Sequence, residues 1–131
     1  MGRVVSVQGY FSPDGAKPAP CTVRLSLDGY GLYENLTVDT VGAYRITTPL
    51  RPIEGLVRQA RQQAGKNGGT LELSARLEGS GESLRTVELS AWIRLSGGFE
   101  MLTLEQGGRG QVSIPYEVVQ ALVRRERSTQ A

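Results

Sequence analysis

The arginine and aromatic residues of this chain are the side chains whose types and spacing point to ligand binding. The 131-residue sequence contains no histidine and one cysteine, Cys21. The composition therefore excludes a histidine-based triad, a zinc site built from thiolates and a disulfide within the chain. We interpret Cys21 as a small buried hydrophobic residue, with a nucleophile as the alternative, because no histidine is present to activate its thiol. The sequence predicts a protein that is not an enzyme and that uses no metal or cofactor.

Arginine supplies most of the positive charge. The chain has 15 lysine and arginine residues against 13 aspartate and glutamate residues, and only Lys17 and Lys66 are lysine. The planar guanidinium suits contacts with phosphate and stacking on bases, although the composition of the source is an equally good explanation. A net charge of +2 is small for a protein that wraps duplex DNA, whereas a single-strand binder can depend more on stacking.

The length and hydropathy of the chain indicate one ordinary globular domain. A chain of 131 residues can bury a hydrophobic core but is too short for two ordinary domains. Its apolar runs stay well below the roughly 18 residues that cross a bilayer, and residues 1–3 lead into a strand pattern without the apolar stretch of a signal peptide. We therefore expect a cytoplasmic protein that does not act at a membrane.

The chain contains an internal repeat. Residues 31–65 align without a gap with residues 97–131, at an offset of 66. Ten of these 35 positions are identical, several times the roughly two expected from composition. The identical pairs are Gly31 and Gly97, Glu34 and Glu100, Leu36 and Leu102, Thr37 and Thr103, Gly42 and Gly108, Pro49 and Pro115, Leu56 and Leu122, Val57 and Val123, Arg58 and Arg124, and Arg61 and Arg127.

Each repeat has the hydropathy pattern of four strands and a helix. Apolar residues alternate along the strand segments, as at Val23, Leu25 and Leu27, and the alternation keeps its phase at the same offset in the second repeat. After Pro49 and Pro115 the apolar spacing changes to three and four residues, which is typical of an amphipathic helix. The sequence thus predicts an α+β fold with two ββββα repeats, residues 1–66 and 67–131, in one pseudo-symmetric domain. Each repeat is expected to form an antiparallel four-stranded sheet followed by a helix.

Parity places several aromatic and arginine residues on the polar side of these sheets. Aromatic rings interleaved with arginine form the kind of surface on which unpaired bases stack while cations follow the phosphates. For Trp92, burial between repeats or in a homodimer is the alternative, and exposed rings also stabilise sheets through cross-strand pairs. The predicted nucleic-acid-binding residues are Tyr10, Arg24, Tyr33, Arg45, Arg76, Trp92, Arg94, Phe99 and Arg109.

The order of elements and one glycine-rich turn resemble a known group of proteins. The segment Gly107-Gly108-Arg109-Gly110-Gln111-Val112-Ser113-Ile114 is similar to the turn and last strand of PUR repeats, and the ββββα–ββββα order resembles PUR-repeat and Whirly-type single-stranded nucleic-acid-binding proteins. Residues 40–46 are a looser counterpart in the first repeat. The resemblance implies binding of single-stranded DNA or RNA on the sheet faces, with Arg109 and Arg45 as contacts. It also implies helices at the interface between repeats or protomers, and we expect a homo-oligomer.

Two shorter resemblances compete with this one. Residues 108–122 are similar to the swapped-hairpin DNA-binding domains of transition-state regulators and antitoxins, but those domains continue into further strands after the helix, and the internal repeat accounts for the same residues. Residues 33–46 resemble a strand pair of transthyretin-like or immunoglobulin-like sandwiches, against which the predicted helices argue. A different class of function also stays open, namely a structural or assembly protein whose aromatic sheet face binds a protein partner or another copy of itself.

Overall fold

The computed structural model describes residues 4–13, 17–29, 33–40, 44–62, 70–79, 85–96, 98–106 and 110–130. The strands in these ranges are β1 (Val5–Ser12), β2 (Ala19–Asp28), β3 (Asn35–Thr40), β4 (Tyr44–Pro49), β5 (Leu71–Gly79), β6 (Arg85–Ser96), β7 (Phe99–Gln106) and β8 (Gly110–Pro115). Helix α1 (Leu50–Gln62) follows β4, and α2 (Tyr116–Gln130) follows β8. The predicted boundary between the repeats, at residues 66 and 67, lies outside the described residues.

The strands form one closed antiparallel barrel, in which each strand pairs with the next along the chain and β8 pairs with β1. The prediction of an α+β fold with two separate four-stranded sheets is therefore wrong, although strands and helices follow one another as ββββα–ββββα. The edges that two sheets would leave open are joined by β4 with β5 and by β8 with β1. Closure pairs N–H and C=O groups that free edges would expose. Alternation of apolar residues is the same in an open sheet and in a barrel, so it does not distinguish them.

The strand registers of the two halves are related by the offset of the internal repeat. In the first half Val7 pairs with Val23 and Thr37 with Thr47. At the equivalent positions of the second half Leu73 pairs with Leu89 and Thr103 with Ser113. At the two junctions Thr47 pairs with Arg76 and Ser113 with Tyr10. Each of these positions therefore has a structural counterpart, and the two halves can be compared residue by residue.

The barrel interior and the apolar sides of both helices form one hydrophobic core. Alternate strand residues point inward, and Leu25, Leu36 and Leu89 are completely buried. The same core includes Ile53 of α1 and Val119 of α2. Because neighbouring strands are antiparallel, β4 and β8 end at the same end of the barrel, and both helices begin there. In the described part of the chain, neither helix is long and apolar enough to cross a membrane.

Gly9 allows β1 to lie close against β8. A Cβ atom at this position would be 2.6 Å from the backbone oxygen of Ser113 and 3.1 Å from a side-chain carbon of Ile114. The counterpart of Gly9 in the second repeat is Ala75 on β5, which has a Cβ and is buried. The β8–β1 junction therefore requires glycine, whereas the equivalent β4–β5 junction does not.

Two reciprocal ion pairs join the helix of each half to the other half. In α1, Arg61 donates through Nε and Nη2 to the carboxylate of Glu100 at 2.9 and 2.7 Å. In α2, Arg127 donates through Nε and Nη2 to Glu34 at 3.3 and 2.8 Å, and through Nη2 to Glu54 at 3.0 Å. Both arginines and both strand-end glutamates belong to the identical pairs of the repeat. These contacts give a structural reason for two of the ten identities.

The two ion pairs differ in burial. Glu34 is 3% exposed, and its backbone oxygen also accepts a hydrogen bond of 3.0 Å from the N–H of Leu50, at the start of α1. The side chain of Glu100 is 27% exposed. The hydrogen bond from Arg61 holds the pKa of Glu100 below its usual value. Glu34 is therefore the carboxylate whose loss of a partner costs more.

Candidate binding faces of the barrel

Outward side chains form two faces, each on four consecutive strands. The aromatic face, on β6, β7, β8 and β1, is defined by Tyr10, Trp92, Arg94, Phe99 and Met101. The charged face, on β2, β3, β4 and β5, is defined by Arg24, Asp39, Arg45, Arg76 and Glu78. Each face encloses a shallow hollow, of about 590 Å³ on the aromatic face and about 500 Å³ on the charged face.

A row of four paired residues crosses each face. On the aromatic face the row is Trp92, Thr103, Ser113 and Tyr10. The counterpart row on the charged face is Ser26, Thr37, Thr47 and Arg76. The two central hydroxyl groups hydrogen-bond in both rows, at 2.8 Å on the aromatic face and 3.2 Å on the charged face. The rows thus share their centre and differ at their ends, where the aromatic face has tryptophan and tyrosine in place of serine and arginine.

The rings of the aromatic face are accessible to a ligand. Tyr10 is 48% exposed and Phe99 is 53% exposed, and Trp92 is half-buried. Arg94 lies with its guanidinium carbon 5.7 Å from the centre of the Trp92 ring, which is within the range of a cation–π contact. Trp92 and Tyr10 are three strand spacings apart, roughly 14 Å at about 4.8 Å for each spacing. The face therefore offers separated flat apolar surfaces with a cation beside one of them.

The arginines of the charged face are balanced by carboxylates. Arg45 lies 3.7 Å from Asp39 and 3.7 Å from Glu78. The hollow is lined by as many carboxylates as arginines, since Asp28, Asp39 and Glu78 accompany Arg24, Arg45 and Arg76. Arg45 is half exposed, so these ion pairs contribute little to stability. The arginines that line the hollow therefore leave no excess of positive charge there.

The residues predicted to bind nucleic acid separate onto different parts of the barrel. Tyr10, Trp92, Arg94 and Phe99 line the hollow of the aromatic face. Arg24, Arg45 and Arg76 line the charged face. Tyr33, the counterpart of Phe99, lies just before β3 and is 82% exposed. Arg109 and the glycines before it lie outside the described residues.

Some residues of the site were not singled out by sequence reasoning. Met101, Gln111 and Glu117 line the aromatic hollow together with the predicted rings. Parity along β7 and β8 places Met101 and Gln111 on this face, but methionine and glutamine carry no chemical signal that marks them as ligand contacts. Glu117 belongs to α2, and its position beside β8 depends on how the helix leaves the strand.

The described residues give little support to chemistry at Cys21. This residue is partly buried on β2, and burial raises the pKa of its thiol. A raised pKa keeps the thiol protonated and so disfavours nucleophilic attack. Among the described residues, acidic and cysteine side chains do not form a group of three or more that could hold a metal ion.

Comparisons with known proteins do not assign this chain to a family. A scan against models of protein families finds no match, and searches of curated proteins and of solved structures find no match either.

Proposed function

We propose that this protein is a non-enzymatic binding module that holds single-stranded DNA or RNA on its aromatic face. In this proposal unpaired bases stack on Tyr10, Trp92 and Phe99. The observation that carries it is the comparison of equivalent positions, because the ends of the row are aromatic on one face and are Ser26 and Arg76 on the other. The strand register is the same with either set, which supports a role in binding for the rings at these positions.

Base stacking is the physical basis of the proposal. A base stacked on an aromatic side chain contributes about 1–3 kcal/mol, and every base has a flat face that such a ring can contact. Arg94 beside Trp92 adds a cation that could meet a phosphate or extend the stacking surface. Two or three stacked bases would therefore give useful affinity without a strongly basic surface.

The contribution of the arginines is revised in this proposal. Arg24, Arg45 and Arg76 lie on the charged face, so they do not follow the phosphates of a short strand that stacks on the aromatic face. A strand held there meets Arg94, and also the carboxylate of Glu117. For single strands the logarithm of the binding constant falls with the logarithm of salt by about 0.7 for each phosphate contacted. We therefore expect a shallow salt dependence, with a slope of about one or less.

The test uses the fluorescence of Trp92, which is the only tryptophan of the chain. Titration with an unlabelled pyrimidine oligonucleotide should change this fluorescence saturably, because a stacked base alters the environment of the indole. Tyr10→Ala should weaken binding roughly five- to a hundredfold. Arg76→Ala, at the equivalent position of the charged face, is the matched control and should bind as the unaltered protein does. Absence of a saturable change with any single strand at micromolar protein would overturn the proposal.

A second candidate is a protein partner or a second copy of this chain on the same face. The observation that favours it is the balance of charge, since Arg94 and Glu117 both line the aromatic hollow. Aromatic residues and methionine with a polar surround are typical of protein interfaces. Sedimentation of the protein alone distinguishes a homo-oligomer, as the chain is then at least dimeric and Trp92→Ala shifts it towards the monomer.

The proposed setting is the cytoplasm, where a lone thiol such as that of Cys21 stays reduced. The proposed function is the one that the resemblance to PUR-repeat and Whirly-type proteins implies. The expected single domain of two repeats, residues 1–66 and 67–131, is consistent with strand registers that recur at the offset of the repeat.

A further inference from the structure

A concave site separate from both outer faces lies between the two helices. This interhelix cleft has a volume of about 510 Å³, within the range of roughly 300–1,000 Å³ that is common for small-molecule sites. The buried side chains of Val57, Val123 and Tyr116 form its apolar floor. Its charged and amide lining is Glu54, Arg58, Arg61, Gln120, Arg124 and Arg127.

The positive charge of the cleft resides on two of its four arginines. Arg61 is held by Glu100, and Arg127 by Glu34 and Glu54. Arg58 and Arg124 are exposed, and neither makes an ion pair within the part of the chain that the structure describes. An anion that entered the cleft would therefore find two guanidinium groups with donors to offer, one from each helix.

Comparison of equivalent positions in the two helices indicates which of these arginines the fold requires. Four positions of α1 carry the same residue as their counterparts in α2. Two of these pairs are apolar and buried in the core, and a third, Arg61 and Arg127, makes the reciprocal ion pairs. The fourth pair of identical residues, Arg58 and Arg124, is explained neither by packing in the core nor by an ion pair among the described residues. Neighbouring exposed positions differ between the helices, as Gln59 and Arg125 do.

We propose that the interhelix cleft binds a phosphate group, with Arg58 and Arg124 as its direct ligands. The guanidinium fork matches the oxygens of phosphate in geometry and charge. Arg61 and Arg127 frame the site and are fixed by their carboxylates, so they need not be ordered when a ligand binds. The phosphate belongs either to a free phosphorylated compound or to the 5′ end of a nucleic acid, and the same two ligands serve both.

Isothermal titration calorimetry of the full chain with pyrophosphate tests this site. The unaltered protein should bind one pyrophosphate with a dissociation constant in the millimolar range or below. Arg58→Ala and Arg124→Ala should each weaken binding roughly tenfold or more, as expected for loss of a charge-assisted contact. Arg58→Lys keeps the charge but not the fork and should give an intermediate value. Arg76→Ala removes an equal charge from the charged face and should bind as the unaltered protein does.

The outcomes distinguish a nucleic acid end from a free compound as the source of the phosphate. They also show whether the cleft and the aromatic face bind independently. If a 5′-phosphorylated oligonucleotide loses affinity in Arg58→Ala and its 5′-hydroxyl form does not, the source is a nucleic acid end; binding of pyrophosphate alone indicates a free compound. The fluorescence of Trp92 reports the aromatic face, so failure there leaves the cleft result intact. Absence of saturable pyrophosphate binding, or equal loss in Arg76→Ala, would overturn the proposal. Circular dichroism of each variant shows whether it is folded.

Discussion

The aromatic face and the charged face have the same strand register and the same central pair of hydroxyl groups, but different side chains around them. Thr103 and Ser113 occupy the centre of one row, and Thr37 and Thr47 the centre of the other. The ends of the rows differ, with serine and arginine on the charged face and tryptophan and tyrosine on the aromatic face. The barrel therefore keeps the pair of hydroxyl groups at the centre of each row and accommodates different side chains at its ends.

The same reasoning applies to the helices and the junctions. Where the two halves keep the same residue, as at Arg61 and Arg127, the structure usually shows a contact that needs it. Where they differ, as at Gly9 and Ala75, the local geometry differs as well. Equivalent positions therefore provide controls for one another.

The largest expected difference is at the two junctions. Gly9→Val should lower the free energy of unfolding by about 3 kcal/mol, because its Cβ would meet the backbone oxygen of Ser113 and force β1 away from β8. Ala75→Gly, at the counterpart on β5, should cost about 1 kcal/mol through added freedom of the unfolded chain. Urea unfolding of both variants measures the difference. Similar losses in the two variants would show that the junctions are packed alike.

The two ion pairs should differ nearly as much in their contribution to the free energy of unfolding. Arg127→Met leaves the carboxylate of Glu34 buried without its main partner, with Arg51 3.8 Å away as partial compensation, and should cost about 3 kcal/mol. Arg61→Met leaves the more exposed Glu100 and should cost about 1 kcal/mol or less. Thermal unfolding of the two variants at pH 7 gives the comparison, and an equal cost would mean that burial of the carboxylate does not decide it.

Exchanging the ends of the rows should separate binding from stability. Trp92→Ser with Tyr10→Arg gives the aromatic face the row ends of the charged face and should weaken single-strand binding by about 2 kcal/mol or more. Stability should change by about 1 kcal/mol at most, since both side chains are partly exposed. Fluorescence anisotropy with a labelled oligonucleotide measures the first quantity and urea unfolding the second. Retained affinity would remove these two rings from the proposed binding site.

The smallest effect is a dependence of stability on pH at Glu100. The pKa of this carboxyl is lowered in the folded protein from its usual value of 4.5 by the hydrogen bond from Arg61. Its contribution is therefore complete above pH 4.5 and is lost as the pH falls through the lower folded value. Because the pair is partly exposed, Glu100→Gln should lower stability at pH 7 by about 1 kcal/mol or less. The difference from the unaltered protein should shrink as the pH falls below 4.5, as measured by thermal unfolding, and a difference that does not shrink contradicts the assignment.

The sequence allowed the local elements and the direction of the side chains to be predicted, because both depend on period and parity. Leu25 points inward and Trp92 outward as the alternation requires. Closure of the barrel was not predictable in this way, since it depends on which edges pair. The balance of charge around Arg45 also required the register of β4 against β5, because Glu78 belongs to the second half of the chain. The contact between Arg127 and Glu34 joins residues that are still further apart in the chain. Its only sign in the sequence is that each of these residues is identical to its counterpart in the other repeat.

The two junctions of the barrel share one register. β4 meets β5 and β8 meets β1 with the same alignment at three residue pairs, and β4 and β5 make one further pair. A circularly permuted chain, in which the second half precedes the first, would make the same strand pairs, with the covalent connection and the non-covalent closure exchanging places. The strand pairs of the barrel can thus be satisfied in either order of the two halves along the polypeptide.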